Sequence, residues 1–598
     1  MVERHATDQR PKQVHRSSPW WLVAGIGTVC IVVGAILIGR LFESLTVLAW
    51  LTAVALMLTG LGELSTARMA ARPWWARGVG LIAVAAGLLV ASWPGITILV
   101  LAVTAGVALV VRGVVAVIDA VTGHADERWT IGMAGLSSTM LGLIALTWPA
   151  VTVLVLAVAF GASAVIVGIR QIALAWRLRA DPTGATHRAA LERRWPRSLR
   201  FVAALGVFVV MVAATSISIA VHRSGPDEPS AFYTAPSPLP GGPPGTIIRR
   251  EVIDGFQPGA TTYRVLYLST GLDGEPTAVS GLIVVPDHGV PAGGRKVLAY
   301  THGTVGVASR CGPSVQGDTW AEFMRSEGLS EFVEAGYVVA ATDYEGLGTS
   351  GPHPYLVGTA EAMSELDIVR AARSMPEAEA GLDVGIWGHS QGGHAALFTG
   401  QLAGAYAPEL RVVGVAAGAP VPDLVELFKA NLESTIGRIL IAMALQSWSE
   451  VYASATLDQI VTPAARPAIG KIADNCLYSA VQIVASVPSS LALGLTFLSN
   501  PPWETEPWAT IVTANNPGQT PIGVPVLLTQ GAADVIVVPA ATEELQQRMC
   551  ASGDDVELRL YEGVGHIDGG PYAVPDVADW MAQRFAGAAV STAGCTGP

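Results

Sequence analysis

Apolar residues are spaced in two different ways along the chain. Between residues 20 and 221 they form long runs, at about 20–39, 44–62, 78–93, 96–118, 131–148, 151–175 and 199–221. A helix needs about 20 such residues to cross hydrocarbon, so the runs predict about seven transmembrane helices, the shorter ones paired in hairpins such as that turned at Trp93-Pro94. From residue 247 the runs shrink to strand length. KVLAYT (296–301), YVVAAT (337–342), VGIWG (384–388), RVVGVA (411–416), VPVLLT (524–529) and VELRLY (556–561) read as buried strands of a largely parallel sheet. Crossover helices fit at 359–375 and 391–404, and segments near 247–253, 263–268 and 279–285 add antiparallel edge strands. The expected architecture is a multi-span α-helical membrane domain followed by an α/β domain.

Charge sharpens the division. Residues 1–223 carry a net +10 and residues 224–598 a net −22. The acidic half argues against nucleic-acid binding, which depends on neutralising phosphates. With 51% hydrophobic and 14% charged residues, the chain is too apolar to be wholly soluble or disordered. Arg4, Arg10, Lys12 and Arg16 precede the first run, Arg68, Arg72 and Arg77 follow the second, and Arg177 to Arg200 form a basic cluster before the seventh. The positive-inside rule then places the N-terminus in the cytoplasm and everything after His222 outside. Cys311, Cys476, Cys550 and Cys595 all lie in that outer half, where an oxidising compartment permits two disulfides. The preferred pairing is Cys311 with Cys476 and Cys550 with Cys595. The expected layout is a basic tail at 1–19, a membrane domain at 20–223, a Pro/Gly/Ser linker at 224–246 and an outer domain at 247–598.

Residues 87–106, GLLVASWPGITILVLAVTAG, repeat at 142–161 as GLIALTWPAVTVLVLAVAFG, a two-helix hairpin duplicated at a fixed offset. This pattern, over about 20–176, resembles the short-repeat membrane family HdeD, which brings no residue set for an activity. Glu43, Glu63, Arg112 and Asp119 fall near the predicted span ends, where their side chains reach the interface.

Gly388-His389-Ser390-Gln391-Gly392 follows a predicted strand and opens a small-residue helix. That context lifts a serine hydroxyl above a sheet on a tight turn. Such a nucleophile needs a base held in one tautomer by an acid. Asp534, in the loop after 524–529, and His566, in the loop after 556–561, stand in the expected order. Asp554, Asp555 and Asp568 are weaker acids for the role, and His389 reads as a packing residue beneath the turn. The oxyanion donors are expected from the amide of Gln391 and from Gly303 or Thr304 in the loop His302-Gly303-Thr304-Val305-Gly306. No cysteine has metal-site spacing, and no metal or cofactor is expected.

GHSQGG, the segment TDYEGLG (342–348) with His353-Pro354-Tyr355 after it, and the late Asp534 and His566 resemble the secretory lipase family over about 247–585. The resemblance implies an α/β-hydrolase domain with a helical cap, hydrolysis of carboxylic esters, and the roles of nucleophile, acid and base on Ser390, Asp534 and His566. Within the shared segment it makes Asp343 and Tyr344 candidate substrate-binding residues, with support of the neighbouring loop as the equal alternative. The irregular, apolar stretch at about 420–515 reads as the cap insertion. The expected function is a membrane-anchored serine ester hydrolase acting on a lipid or small ester. Its alternatives are an envelope acyltransferase with the same triad, or a membrane stress or transport protein with a binding ectodomain.

Overall fold

The computed structural model describes residues 227–588 apart from 479 and 495, Cys595, residues 128–147, most of 107–122, and isolated helical positions in 20–32, 81–88, 165–176 and 201–212. The expected spans, the Trp-Pro repeat, the basic clusters, Glu43, Glu63 and Arg112 lie wholly or largely outside these residues. The chain forms two units, Met1–Ala220 and Val221–Pro598. In the first, helix α1 (Arg128–Thr147) meets the helix at 113–121 through small residues. A methyl group on Gly135 would strike the Gly113 carbonyl, and Ser138 donates to the Leu109 carbonyl at 3.0 Å, the close approach that small residues allow between helices. Among the described residues no helix is long and apolar enough to cross a membrane.

The second unit is built on a nine-stranded sheet in the order β1-β2-β3-β5-β4-β6-β7-β8-β9. Its strands are β1 (Ile247–Ile253), β2 (Ala260–Thr270), β3 (Pro276–Pro286), β4 (Arg295–Thr301), β5 (Val338–Thr342), β6 (Ala380–His389), β7 (Arg411–Gly418), β8 (Val526–Gly531) and β9 (Val556–Tyr561). β1, β2, β3 and β5 pair antiparallel, and every pairing from β5 through β4 to β9 is parallel. β4, β5 and β8 and the C-terminal parts of β6 and β7 are almost wholly buried because helices cover both faces, while the edge strand β9 is only half-buried. On one side lie α4 (Gly358–Ser374), α5 (Gln391–Tyr406) and α11 (Pro539–Ala551), in a core with Val297, Ile386 and Val526. On the other lie α2 (Gly317–Ser326), α3 (Leu329–Glu334) and α12 (His566–Phe585), around Trp320, Trp387 and Trp580.

Between β7 and β8 the chain leaves the sheet as α6 (Leu424–Asn431), α7 (Thr435–Val451), α8 (Arg466–Ala473), α9 (Ala480–Leu493) and α10 (Trp508–Ala514). These helices enclose their own apolar core of Phe428, Leu445, Trp448, Ile469 and Trp508. Capping side chains set two of the starts. Asp423 accepts from the amides of Val425 and Glu426 at the head of α6, and Ser434 accepts from the Gly437 amide at the head of α7.

Residues 227–246, expected as an extended linker, are instead packed on this unit. Tyr233 is buried, and Arg249 donates to the carbonyls of Ala231 and Phe232, both at 2.9 Å. Arg264 lies over the Phe232 and Tyr233 rings, and Gly245 and Thr246 extend the pairing with β2 through Leu268. The aromatic pair explains the difference, because burying it on the sheet edge removes more apolar surface from water than a solvated linker would. Disulfides join Cys311 to Cys476 and Cys550 to Cys595. The first ties the loop after β4 to the cap, and the second ties the segment after α12 back to α11.

Candidate active site

β6 ends at His389 and α5 begins at Gln391, so Ser390 alone makes the turn, with φ 61° and ψ −120°. That backbone is strained for a residue with a side chain. It is held by close packing on β4: a Cβ at Gly388 or Gly392 would collide with Thr301. Thr301 also donates to the Gly392 carbonyl at 2.7 Å.

Three strands bring the expected residues together. His566 Nε2 lies 2.8 Å from Ser390 Oγ, and His566 Nδ1 lies 2.7 Å from Asp534 Oδ2. Asp534 also accepts hydrogen bonds from the amides of Ile536 and Val537 and from the Gln530 side chain. Burial acts to raise its pKa, but the hydrogen bond and charge of His566, with the two amides, outweigh burial and leave the carboxyl below its ordinary value. Asp554 instead accepts the amides of Ile522 and Gly523 and anchors a turn.

Gly303 sits beside the turn: a Cβ there would lie 3.9 Å from Ser390 Cβ. Gln391 stands at the first position of α5, where a backbone N–H has no partner within the helix. Ser390, Gln391 and Thr304 share a cavity of about 20 Å³ with Phe428, Leu440 and Ile441 of the cap and with Ile536 and Val537. That volume holds about one water. Tyr355, also in the lining, belongs to the segment His353-Pro354-Tyr355, which gives it no role, and no motif singles out the individual cap residues. Their signal is tertiary: an apolar wall is assembled from segments far apart in sequence.

Asp343 and Tyr344 lie outside the lining of this cavity, and their contacts match the second role open to them, support of the neighbouring loop. Asp343 is fully buried and accepts hydrogen bonds from the Ser280 hydroxyl and from the Ser314 amide and hydroxyl. Burial lifts its pKa to about 6. Tyr344 donates to the His302 carbonyl at 3.2 Å. Both support the loop behind Gly303 because the edge strands and the 227–246 segment close over the end of β5.

Two further buried clusters flank the turn. His389 packs 5.1 Å from the His566 ring and 3.8 Å from Glu327. Burial pushes His389 down to about 3 and Glu327 up to about 8, so both are neutral near pH 7. On the other side, Glu361 accepts from His394 and Gln391, both at 2.8 Å.

A serine on a strand-to-helix turn, in contact with a histidine that contacts a carboxylate at the ends of parallel strands, defines an α/β-hydrolase. Residues 319–592 match the secretory lipase family, and residues 25–79, 78–139 and 133–217 each match a short repeat of unknown function. A secretory-lipase-like α/β-hydrolase domain, an enzyme of the lipase and esterase type, thus follows an N-terminal repeat domain. The chain is 27% identical to a probable inactive lipase of Mycobacterium tuberculosis, over 60% of this chain and 82% of that one. It is 26% identical to a secreted triacylglycerol lipase of Malassezia globosa, over 66% and 87%. Lipase A of Candida antarctica in its closed state shares the fold, with a TM-score of 0.53 at 20% identity, over 61% of this chain and 88% of that one.

Proposed function

We propose that the protein is a membrane-anchored, extracytoplasmic serine hydrolase of lipid or small esters, working through an acyl-enzyme. The observation that carries this reading is the bridge of His566 between Ser390 and Asp534. His566 Nε2 takes the Ser390 proton as Oγ attacks the ester carbonyl, while Nδ1–H donates to Asp534, which stabilises the imidazolium. The Gln391 amide and the Gly303–Thr304 loop hold the tetrahedral oxyanion. His566 then protonates the departing alcohol and activates the water that releases the acyl group. Phe428, Leu440 and Ile441 of the cap wall the cavity, so substrate reaches Ser390 past the cap. Lipase relatives support the ester class. The apolar runs, the placement of Arg and Lys and the two disulfides support the membrane anchor and the outside location.

The test is intact-protein mass spectrometry of the purified full chain after fluorophosphonate treatment, beside Ser390→Ala. One adduct, missing from the variant, is expected, followed by turnover across an ester chain-length panel. A folded wild-type protein that takes up no adduct overturns the mechanism.

A further inference from the structure

Thr304 and Ser390 line the same cavity, and the Thr304 hydroxyl lies 2.8 Å from the Tyr355 hydroxyl. Tyr355 belongs to the loop before α4, yet its backbone is gripped by the cap helix α7. Its amide donates to Ser447 Oγ at 2.9 Å, Ser447 donates to the His353 carbonyl at 2.6 Å, and Trp448 Nε1 donates to the Tyr355 carbonyl at 2.8 Å. Ser447, Trp448 and Tyr355 are all buried, which makes these hydrogen bonds costly to leave unmade.

A phenol is a stronger acid than an aliphatic alcohol, so in this pair Tyr355 is the better donor. When Tyr355 donates to Thr304 Oγ1, the threonine keeps its own proton for a third atom in the cavity, where the oxyanion forms. We propose that Thr304 adds a side-chain donor to the oxyanion hole and that Tyr355, seated by the cap helix, is the positioning residue that aims it. Seating of the cap is thereby coupled to the electrostatics of the reaction. The proposal rests on the serine hydrolase reading and deepens it.

The test measures kcat and KM of the full chain on a soluble short-chain ester. Thr304→Val is expected to lower kcat on the order of 10²-fold with little change in KM, and Thr304→Ser to restore most of the loss. Tyr355→Phe is expected to lower kcat about 10-fold in the wild-type background and less than about twofold in the Thr304→Val background, the non-additivity of a residue acting through another. An equal effect of Tyr355→Phe in both backgrounds, or an effect confined to KM, overturns the positioning role. Unchanged kcat in Thr304→Val, with Ser390→Ala inactive, overturns the donor role and leaves the serine mechanism standing. Full turnover in Ser390→Ala overturns both.

Discussion

The sheet and the cap meet at one cavity but hold their residues by different means. Ser390, Asp534 and His566 sit on short loops at strand ends, each fixed by backbone geometry: the φ of 61° at Ser390, the two amides on Asp534, the start of α12 at His566. Phe428, Leu440 and Ile441 of the cap face the same space from helices with a separate core. Directional contacts locate the chemistry, and non-directional apolar contacts shape what reaches it. The sheet side should therefore fail sharply on small changes, while the cap side should retune.

The largest expected effect is at the serine. Ser390→Ala should lose about 10⁶-fold in kcat with an unchanged melting profile, and residual turnover well above that level would break the contrast. Asp534→Asn should cost about 10⁴-fold, measured as kcat on the same ester; a loss below about 10-fold would show that the acid does not hold the histidine. Across the cavity, Leu440→Ala should shift preference toward longer acyl chains by roughly 10-fold in kcat/KM, read from an ester panel. An unchanged panel would remove the cap from selectivity.

The smallest effect sharpens the comparison on the sheet side. Glu327 has its pKa raised by burial from 4.5 to about 8. The native carboxyl keeps a proton that the unfolded chain releases, so wild-type stability falls as pH rises from about 4.5 to about 8. Glu327→Gln should flatten that fall, gaining about 2–4 °C in Tm at about pH 8 relative to about pH 5. Parallel curves for the two proteins would show that Glu327 ionises freely.

What was legible in the sequence follows the same division. GHSQGG is local, and its small residues already encode the close approach to β4. Asp534 and His566 follow strand-like runs, so their placement needed only strand order. TDYEGLG left two roles open for Asp343 and Tyr344, because the cover that Tyr233 and Ser314 place over the end of β5 comes from distant segments. The cap was legible as the stretch 420–515 and Tyr355 as part of a motif, but the role of Tyr355 and the residues of the cap wall were not, since the Tyr355 amide pairs with Ser447, 92 residues further along the chain.

The clamp of residues 231–246 on the edge of the sheet has a mechanical meaning. Any pull or swing of the chain before residue 227 meets the Asp227–Gln316 hydrogen bonds and the Glu228–Arg310 ion pair first, then Arg249 and the pairing with Leu268. It is shared there among several parallel hydrogen bonds before it can reach a strand that carries the site. The clamp works as strain relief works on a cable, letting the catalytic geometry stay still under a load applied upstream.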